Sequence, residues 1–219
     1  MKPTMTLAKL QAYLDTLDDG LLRQGMHDEG REFCALEFES QVRGREWSDE
    51  AITLPDIRPL NDAFGKNDKA RTAAILPLMV ALWDWSRWSS SRRRAWITIV
   101  IIETVRRIIS QLPGLSKDVR RSCTRVKTLR QAVSAASQAE DTVAAATCAA
   151  DAARDAAYAA KESGGDVDYA AGHAADAADG AAGAASFRGV NMARSFAVLE
   201  KACAIWIKAA KKTGKSHAR

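Results

Sequence analysis

Proline is scarce in this 219-residue chain, with five in all, and residues 117 to 161 contain neither proline nor glycine. No stretch keeps the apolar–polar alternation of a half-buried strand, so a sheet is excluded and an all-α fold is expected. The four cysteines, Cys34, Cys123, Cys148 and Cys203, form no CxxC pair and none has a histidine at zinc-finger spacing. Free thiols in a reduced, cytoplasmic protein are expected. The N-terminus has no long apolar run ending in a cleavage signature, and no secretory signal is expected. The most apolar stretch, residues 95 to 112, is interrupted by Glu103, Arg106 and Arg107 and is too short to span a bilayer. No membrane is therefore expected among the partners. There is no HExxH, Walker A, GxGxxG or GxSxG sequence, and no resident cofactor or metal is expected.

What is abundant is alanine. Between residues 135 and 185 it comes in pairs: Ala149-Ala150, Ala152-Ala153, Ala156-Ala157, then Ala170-Ala171, Ala174-Ala175 and Ala177-Ala178. Steps of four and three residues average the heptad spacing of helices in prolonged contact. Alanine also has the highest helix propensity and lets backbones approach closely.

The segments organise around these helices. Thr6 is a candidate N-cap for a leucine-patterned first helix, and a second is expected from Asp28 to about Val42. Residues 44 to 66 lose periodicity but hold apolar anchors at Trp47, Ile52, Leu54, Ile57 and Leu60. Asn67 is expected to cap a helix through Trp88, kinked or divided at Pro77. Ser91 is expected to cap the next helix, which ends at Pro113-Gly114, and Ser116 opens the following one. From Lys117 to Lys161 the chain offers about 66 Å of helix if it is continuous. Ser163-Gly164-Gly165-Asp166 then interrupts it.

The simplest model has an N-terminal helical domain over 1–112, an antiparallel alanine-rich helical hairpin over 116–212, and a basic tail over 213–219. Pairing residues whose numbers add to about 329 sets Val133 against Phe196, Leu129 near Leu199 and Cys123 opposite Trp206. At the tip it sets Ala149 against Gly180. The alternative is a segmented bundle. Gly172, Gly180, Gly183 and Gly189 each cost about 1 kcal/mol against alanine inside a helix and could divide the second arm.

Net charge is +5, unevenly distributed. Residues 1–70 carry 9 basic and 14 acidic side chains, residues 71–130 carry 13 and 3, and the acidic stretch 140–185 carries 2 and 9. The basic middle contains Arg92, Arg93 and Arg94, then Arg106 and Arg107. Arg120, Arg121, Arg125, Lys127 and Arg130 follow beyond Pro113-Gly114. Several cations on one surface suit phosphate, and Trp83, Trp85 and Trp88 could stack on unpaired bases. They are equally residues that build a core. The acidic stretch offers the converse. Asp151, Asp155, Asp176 and Asp179, with Asp166 and Asp168, could present a negative stripe to a basic protein, including one that normally holds nucleic acid. His173 shares the side of Asp176 and Asp179, and a salt bridge to Arg154 is an alternative use of these acids.

The densest group of reactive side chains is His27, Asp28, Glu29, Glu32, Cys34 and Glu37. Acids at a helix N-terminus are favoured by the macrodipole, which accounts for most of them without chemistry. Cys34 lies about 10 Å along the helix from His27, too far for a nucleophile–base pair.

Two stretches, GMHDEGREFCALEFESQVRGREWSD and LPDIRPLNDAFGKNDKARTAAILPLMVALWDW, resemble segments of uncharacterised bacterial and phage-encoded proteins that likewise end in alanine-rich helices. AGHAADAADGAAGAA is similar to alanine-rich immunity-protein families. The resemblance implies a host-defence or mobile-element setting and an interaction role, with no catalytic positions to carry over. The expected function is a non-enzymatic interaction or scaffold module that binds a protein or a second copy of itself. Nucleic-acid binding through residues 92–130 is the alternative, and a hydrolase or metal enzyme around residues 27–62 the third.

Overall fold

The computed structural model describes residues 5–17, 19–25, 33–46, 48, 53–141, 147–161, 167–186 and 192–216. His27, Asp28, Glu29, Glu32, Trp47, Ile52 and the Ser163–Asp166 turn lie outside these residues. The described chain is all helical, with no strand. Its helices are α1 (Leu7–Leu14), α2 (Ala35–Val42), α3 (Arg58–Asp62), α4 (Asp68–Leu82), α5 (Ser90–Arg107), α6 (Lys117–Thr124), α7 (Leu129–Glu140), α8 (Thr147–Lys161), α9 (Val167–Ser186) and α10 (Met192–Ser216).

Short polar side chains set the helix starts by accepting an otherwise unbonded N–H of the first turn. Thr6 Oγ1 accepts from the Lys9 amide at 3.3 Å, Asn67 Oδ1 from Ala70 at 3.1 Å and Ser116 Oγ from Val119 at 3.2 Å. The cap of α5 is Ser89, two residues before the expected Ser91, and it accepts from the Arg92 amide at 3.3 Å. Pro77 sits inside α4 without ending it, and that helix stops at Leu82, short of Trp88. The turn after α5 uses Gly114 at φ 84°, a left-handed conformation that favours glycine.

The stretch from Lys117 to Lys161 is not one helix. It is divided after α6 and again after α7. Thr128 accepts from the Gln131 amide at 3.3 Å, while the Gln131 side chain accepts from the Lys127 amide at 2.8 Å. This Thr-x-x-Gln exchange is a variant of the capping box, and it starts a new helix where no glycine or proline is present. The division falls in the first arm, where a continuous helix was expected, whereas α9 runs unbroken through Gly172, Gly180 and Gly183, which were expected to divide the second. α7 packs on α8, α8 on α9, and α5 runs among α6, α7, α8, α9 and α10.

At the tip of the alanine region the expected register appears. A methyl group placed on Gly180 would lie 3.0 Å from the Ala149 backbone nitrogen. At the base the register fails, because α10 packs on α4, α5 and α9. Phe196 stacks on Phe64, with centroids 6.0 Å apart, and the Trp206 ring meets Trp96 edge-on at 5.1 Å. The pairing of the alanines now has a physical reason. Both members of Ala170-Ala171, Ala174-Ala175 and Ala177-Ala178 are buried. One residue per step would serve a two-helix seam, but α9 is covered by α3, α5, α8 and α10 together.

The large residues gather elsewhere. Trp85, Trp88, Trp96 and Trp206 form one buried cluster, with centroid distances of 4.7 Å for Trp85–Trp96 and 5.1 Å for Trp85–Trp88. The Trp96 indole N–H donates to the Trp206 carbonyl at 3.2 Å, tying α5 to α10. Trp85 and Trp88 are core residues, with no face free for bases.

Candidate functional site

A cleft of about 770 Å³ is built from three separate parts of the chain. Residues 24, 25 and 34 form one wall, the start of α3 with Asp56 and Asp62 forms the second, and Asp176 and Asp179 of α9 form the third. Helical spacing of three places the last two carboxylates on one face. Gly172, one turn before, lies where Asp56 approaches, with a notional methyl 4.0 Å from the Asp56 Cβ.

The first wall is held by a buried network. Arg71 of α4 is fully buried. Its guanidinium donates to the carbonyls of Asn61 at 2.8 Å, Leu22 at 3.0 Å and Gly65, and it pairs with Asp68. Thr72 Oγ1 accepts from the Leu22 amide at 2.9 Å, and Asn61 Nδ2 donates to the Arg23 carbonyl at 2.8 Å. The Gly25 amide donates to Asp62 Oδ1 at 2.9 Å. Sequence reasoning passed over Arg71. Along the chain it is one of three charged residues, with Asp68 and Lys69, at the start of α4, and nothing there marks it as the buried one.

Asp56 differs from Asp176 and Asp179 in what surrounds it. Burial alone would raise Asp56, but hydrogen bonds and charge from Arg58 hold it below the ordinary aspartate range. The contacts are bidentate, at 3.0 Å to Oδ1 and 2.8 Å to Oδ2. Asp176 is pushed up by burial and by Asp56, partly offset by His173, whose Nδ1 lies 3.6 Å from the carboxylate. Asp179 is pushed up by burial, by Asp176 and by Asp62. Two acids therefore sit among like charges with no arginine or lysine paired to them among the described residues.

Cys34 lines the same cleft but is 3% exposed, and burial pushes its thiol up to about 12. It stays a thiol near neutral pH, which removes the chemical basis for a nucleophile there. Cys123 and Cys203 are also buried, pushed up by burial to about 11 and about 12. Alkylation mapped by mass spectrometry at pH 8 is expected to leave all three unmodified in the native protein and to label them after denaturation. Labelling of native Cys34 within minutes would show the burial to be wrong.

The remaining candidate residues are distributed as follows. Asp151 and Asp155 of α8 are taken up by Arg154, which also pairs with Glu140, so the expected bridge from Arg154 to α9 is not formed. Arg92 lies over the Trp88 ring at 3.7 Å, and Arg93 donates to the carbonyls of Trp88 and Ser86, each at 3.2 Å. Arg94 is exposed. Arg120 closes the turn before α6 by donating to the carbonyls of Ser110 at 2.5 Å and Leu112 at 3.3 Å. Arg106 pairs with Glu103 at 2.7 Å, and Arg107 pairs with the same carboxylate. Arg121 lies 3.6 Å from Asp118. Arg125, Lys127 and Arg130 are exposed and have no ion-pair partner among the described residues.

Among the described residues no three His, Cys, Asp or Glu side chains converge closely enough to hold a metal ion. No helix among them is long and apolar enough to cross a membrane. Comparison of the chain with family models, with characterised proteins and with solved structures finds no match.

Proposed function

We propose that the protein is a non-enzymatic recognition module whose acidic cleft receives the cationic side chains of a basic protein partner. The observation that carries this is the convergence of Asp56, Asp62, Asp176 and Asp179 from separate elements around one cavity, with Arg58 as its single cation among the described lining residues. The carboxylates are spread along the walls rather than gathered on a point, which suits several lysines or arginines of an extended segment better than one ion. A guanidinium or ammonium entering the cleft would stabilise the charged forms of Asp176 and Asp179, which burial first and the neighbouring carboxylates second disfavour. A host-defence or mobile-element setting, in which such a module holds a basic partner, belongs to the same proposal.

The test is the double variant Asp176→Asn/Asp179→Asn, read two ways. Both acids have folded values raised above their unfolded ones. Their favourable contribution to stability is fully present below the ordinary value of 3.8 and is lost as pH rises through the folded values. Removing the charges is therefore expected to raise the melting temperature at pH 7, with the gain disappearing in acid. The same variant is expected to lose affinity for a labelled peptide of alternating lysine and arginine by at least about tenfold, since two charge-assisted contacts are removed. Asp151→Asn/Asp155→Asn is expected to bind that peptide as the native protein does. Equal peptide affinity in the native protein and the cleft variant would sink the proposal.

A further inference from the structure

The basic segment picked out between residues 92 and 130 is not used by the acidic cleft. The fold completes it with residues from the far end of the chain. Two adjoining grooves, one of about 820 Å³ between α5 and residues 124–131 and one of about 260 Å³ between α5 and α10, share Ile99, Glu103 and Lys212. Arg106, Arg125 and Lys127 line the first. Arg107, Lys201 and Lys208 line the second. Seven cations thus face one channel in which Glu103 is the single acid among the described lining residues. Glu103 is already shared by Arg106 and Arg107, leaving Arg125, Lys127, Lys201, Lys208 and Lys212 with no ion-pair partner among the described residues.

We propose that this α5–α10 channel binds the phosphate backbone of nucleic acid, independently of base sequence. A row of cations is what a chain of evenly spaced phosphates requires, and arginine adds bidentate contacts. The channel has no aromatic lining residue, and the tryptophans nearest in sequence are locked in the core. With no platform for unstacked bases, affinity follows phosphate density, so duplex binds more tightly than single strand. A bilayer is the poorer fit. Among the described residues the exposed large apolar side chains are Leu7 and Tyr169, and neither lines the channel to insert between lipids. An acidic amphipathic helix fits poorly for a related reason. Of the apolar lining, Val126, Ile205 and Ala209 are already buried and Ile99 and Ile102 are partly buried against the core, leaving Ala204 as the exposed apolar side chain.

The channel shares no lining residue with the cleft, so the two proposals fail separately. The experiment is fluorescence anisotropy of the full chain with a labelled 20-base-pair DNA duplex and with its single strand, across a salt series. Engagement of four phosphates predicts a log–log salt slope of about −3.6 and a loss of affinity of about 100-fold between 50 and 200 mM salt. Lys208→Glu/Lys212→Glu is expected to lower duplex affinity at least tenfold. Lys66→Glu, an exposed charge away from the channel, is expected to leave it unchanged. The two charged variants are compared by circular dichroism, and Lys127→Gln supplies a milder surface change should the double variant fold poorly. Its expected effect is a smaller loss of affinity and a shallower salt slope. A slope near zero, equal loss for Lys66→Glu and Lys208→Glu/Lys212→Glu, or tighter binding to anionic vesicles or polyglutamate than to duplex would overturn the proposal.

Discussion

Replacing Arg71 by alanine is expected to cost about 3–5 kcal/mol of folding stability, the range for removing one partner of a buried ion pair. Arg71 is fully buried, and its fork closes three backbone carbonyls and the Asp68 carboxylate at once. Without it the carbonyls of Leu22, Asn61 and Gly65 are left without that donor inside the protein. Asp68 keeps only its second pairing, to Arg23. Each unsatisfied buried acceptor adds about 1–3 kcal/mol, and relaxation of the 22–25 segment recovers part of it. Urea denaturation followed by circular dichroism measures the loss. Arg71→Lys is expected to recover little, because an ammonium cannot reproduce the planar fork. The same network holds the first wall of the acidic cleft, so either variant, kept folded at low temperature, is expected to bind the cationic peptide weakly. A loss under about 1 kcal/mol for Arg71→Ala would mean that the network is not what holds this wall, since surface positions commonly show effects that small.

The second large effect is at Gly180. A side chain there points at the Ala149 backbone, with contacts of 3.0 Å to its nitrogen and 3.1 Å to its Cα. Backbone cannot swing aside as a flexible side chain can, so α8 and α9 must separate. Gly180→Ala gains about 1 kcal/mol of helix propensity and loses about 1–3 kcal/mol to overpacking, for a net cost near 1 kcal/mol. Gly180→Leu is expected to cost about 3 kcal/mol or more, because the larger side chain breaks the alanine contacts on both sides of the crossing. Gly172 in the same helix gives the opposite sign. Its notional methyl meets nothing closer than Asp56 atoms at 4.0 Å, so Gly172→Ala is expected to stabilise by about 1 kcal/mol. Thermal melts of the three variants decide this. Stabilisation by alanine at both glycines would show that propensity, not contact, controls the helix.

Much of the secondary structure was legible because its causes are local. Thr6, Asn67 and Ser116 cap the helices they precede, and the Pro113-Gly114 turn ends the segment after α5. The division near residue 125 is equally local, in the Thr128-Leu-Arg-Gln131 start signal, but no glycine or proline accompanies it to mark a helix end. Half of the acidic cleft was in view as Asp176 and Asp179 on one helical face. The other half, Asp56 and Asp62, lay in a segment without periodicity, and nothing along the chain linked positions more than a hundred residues apart. The basic channel was divided in the same way: its arginines stood out as clusters, while Lys201, Lys208 and Lys212 stand far along the chain on a separate helix.

What the sequence determined by itself was the helical class, the starts of α1, α4 and α6, and the uneven distribution of charge. Propensity, capping and composition act over a few residues, and those residues are adjacent in the chain. The tertiary structure decided which surfaces the helices share. Alanine pairs are compatible with a two-helix arm and with a helix covered on several sides, since both require small residues at the same spacing. The choice between them came from the bulky residues. The contacts of Phe196 with Phe64 and of Trp206 with Trp96 draw α10 back onto α4 and α5. That burial, spread over the whole chain, brings the cleft's aspartates together and sets the lysines of α10 beside the arginines of α5.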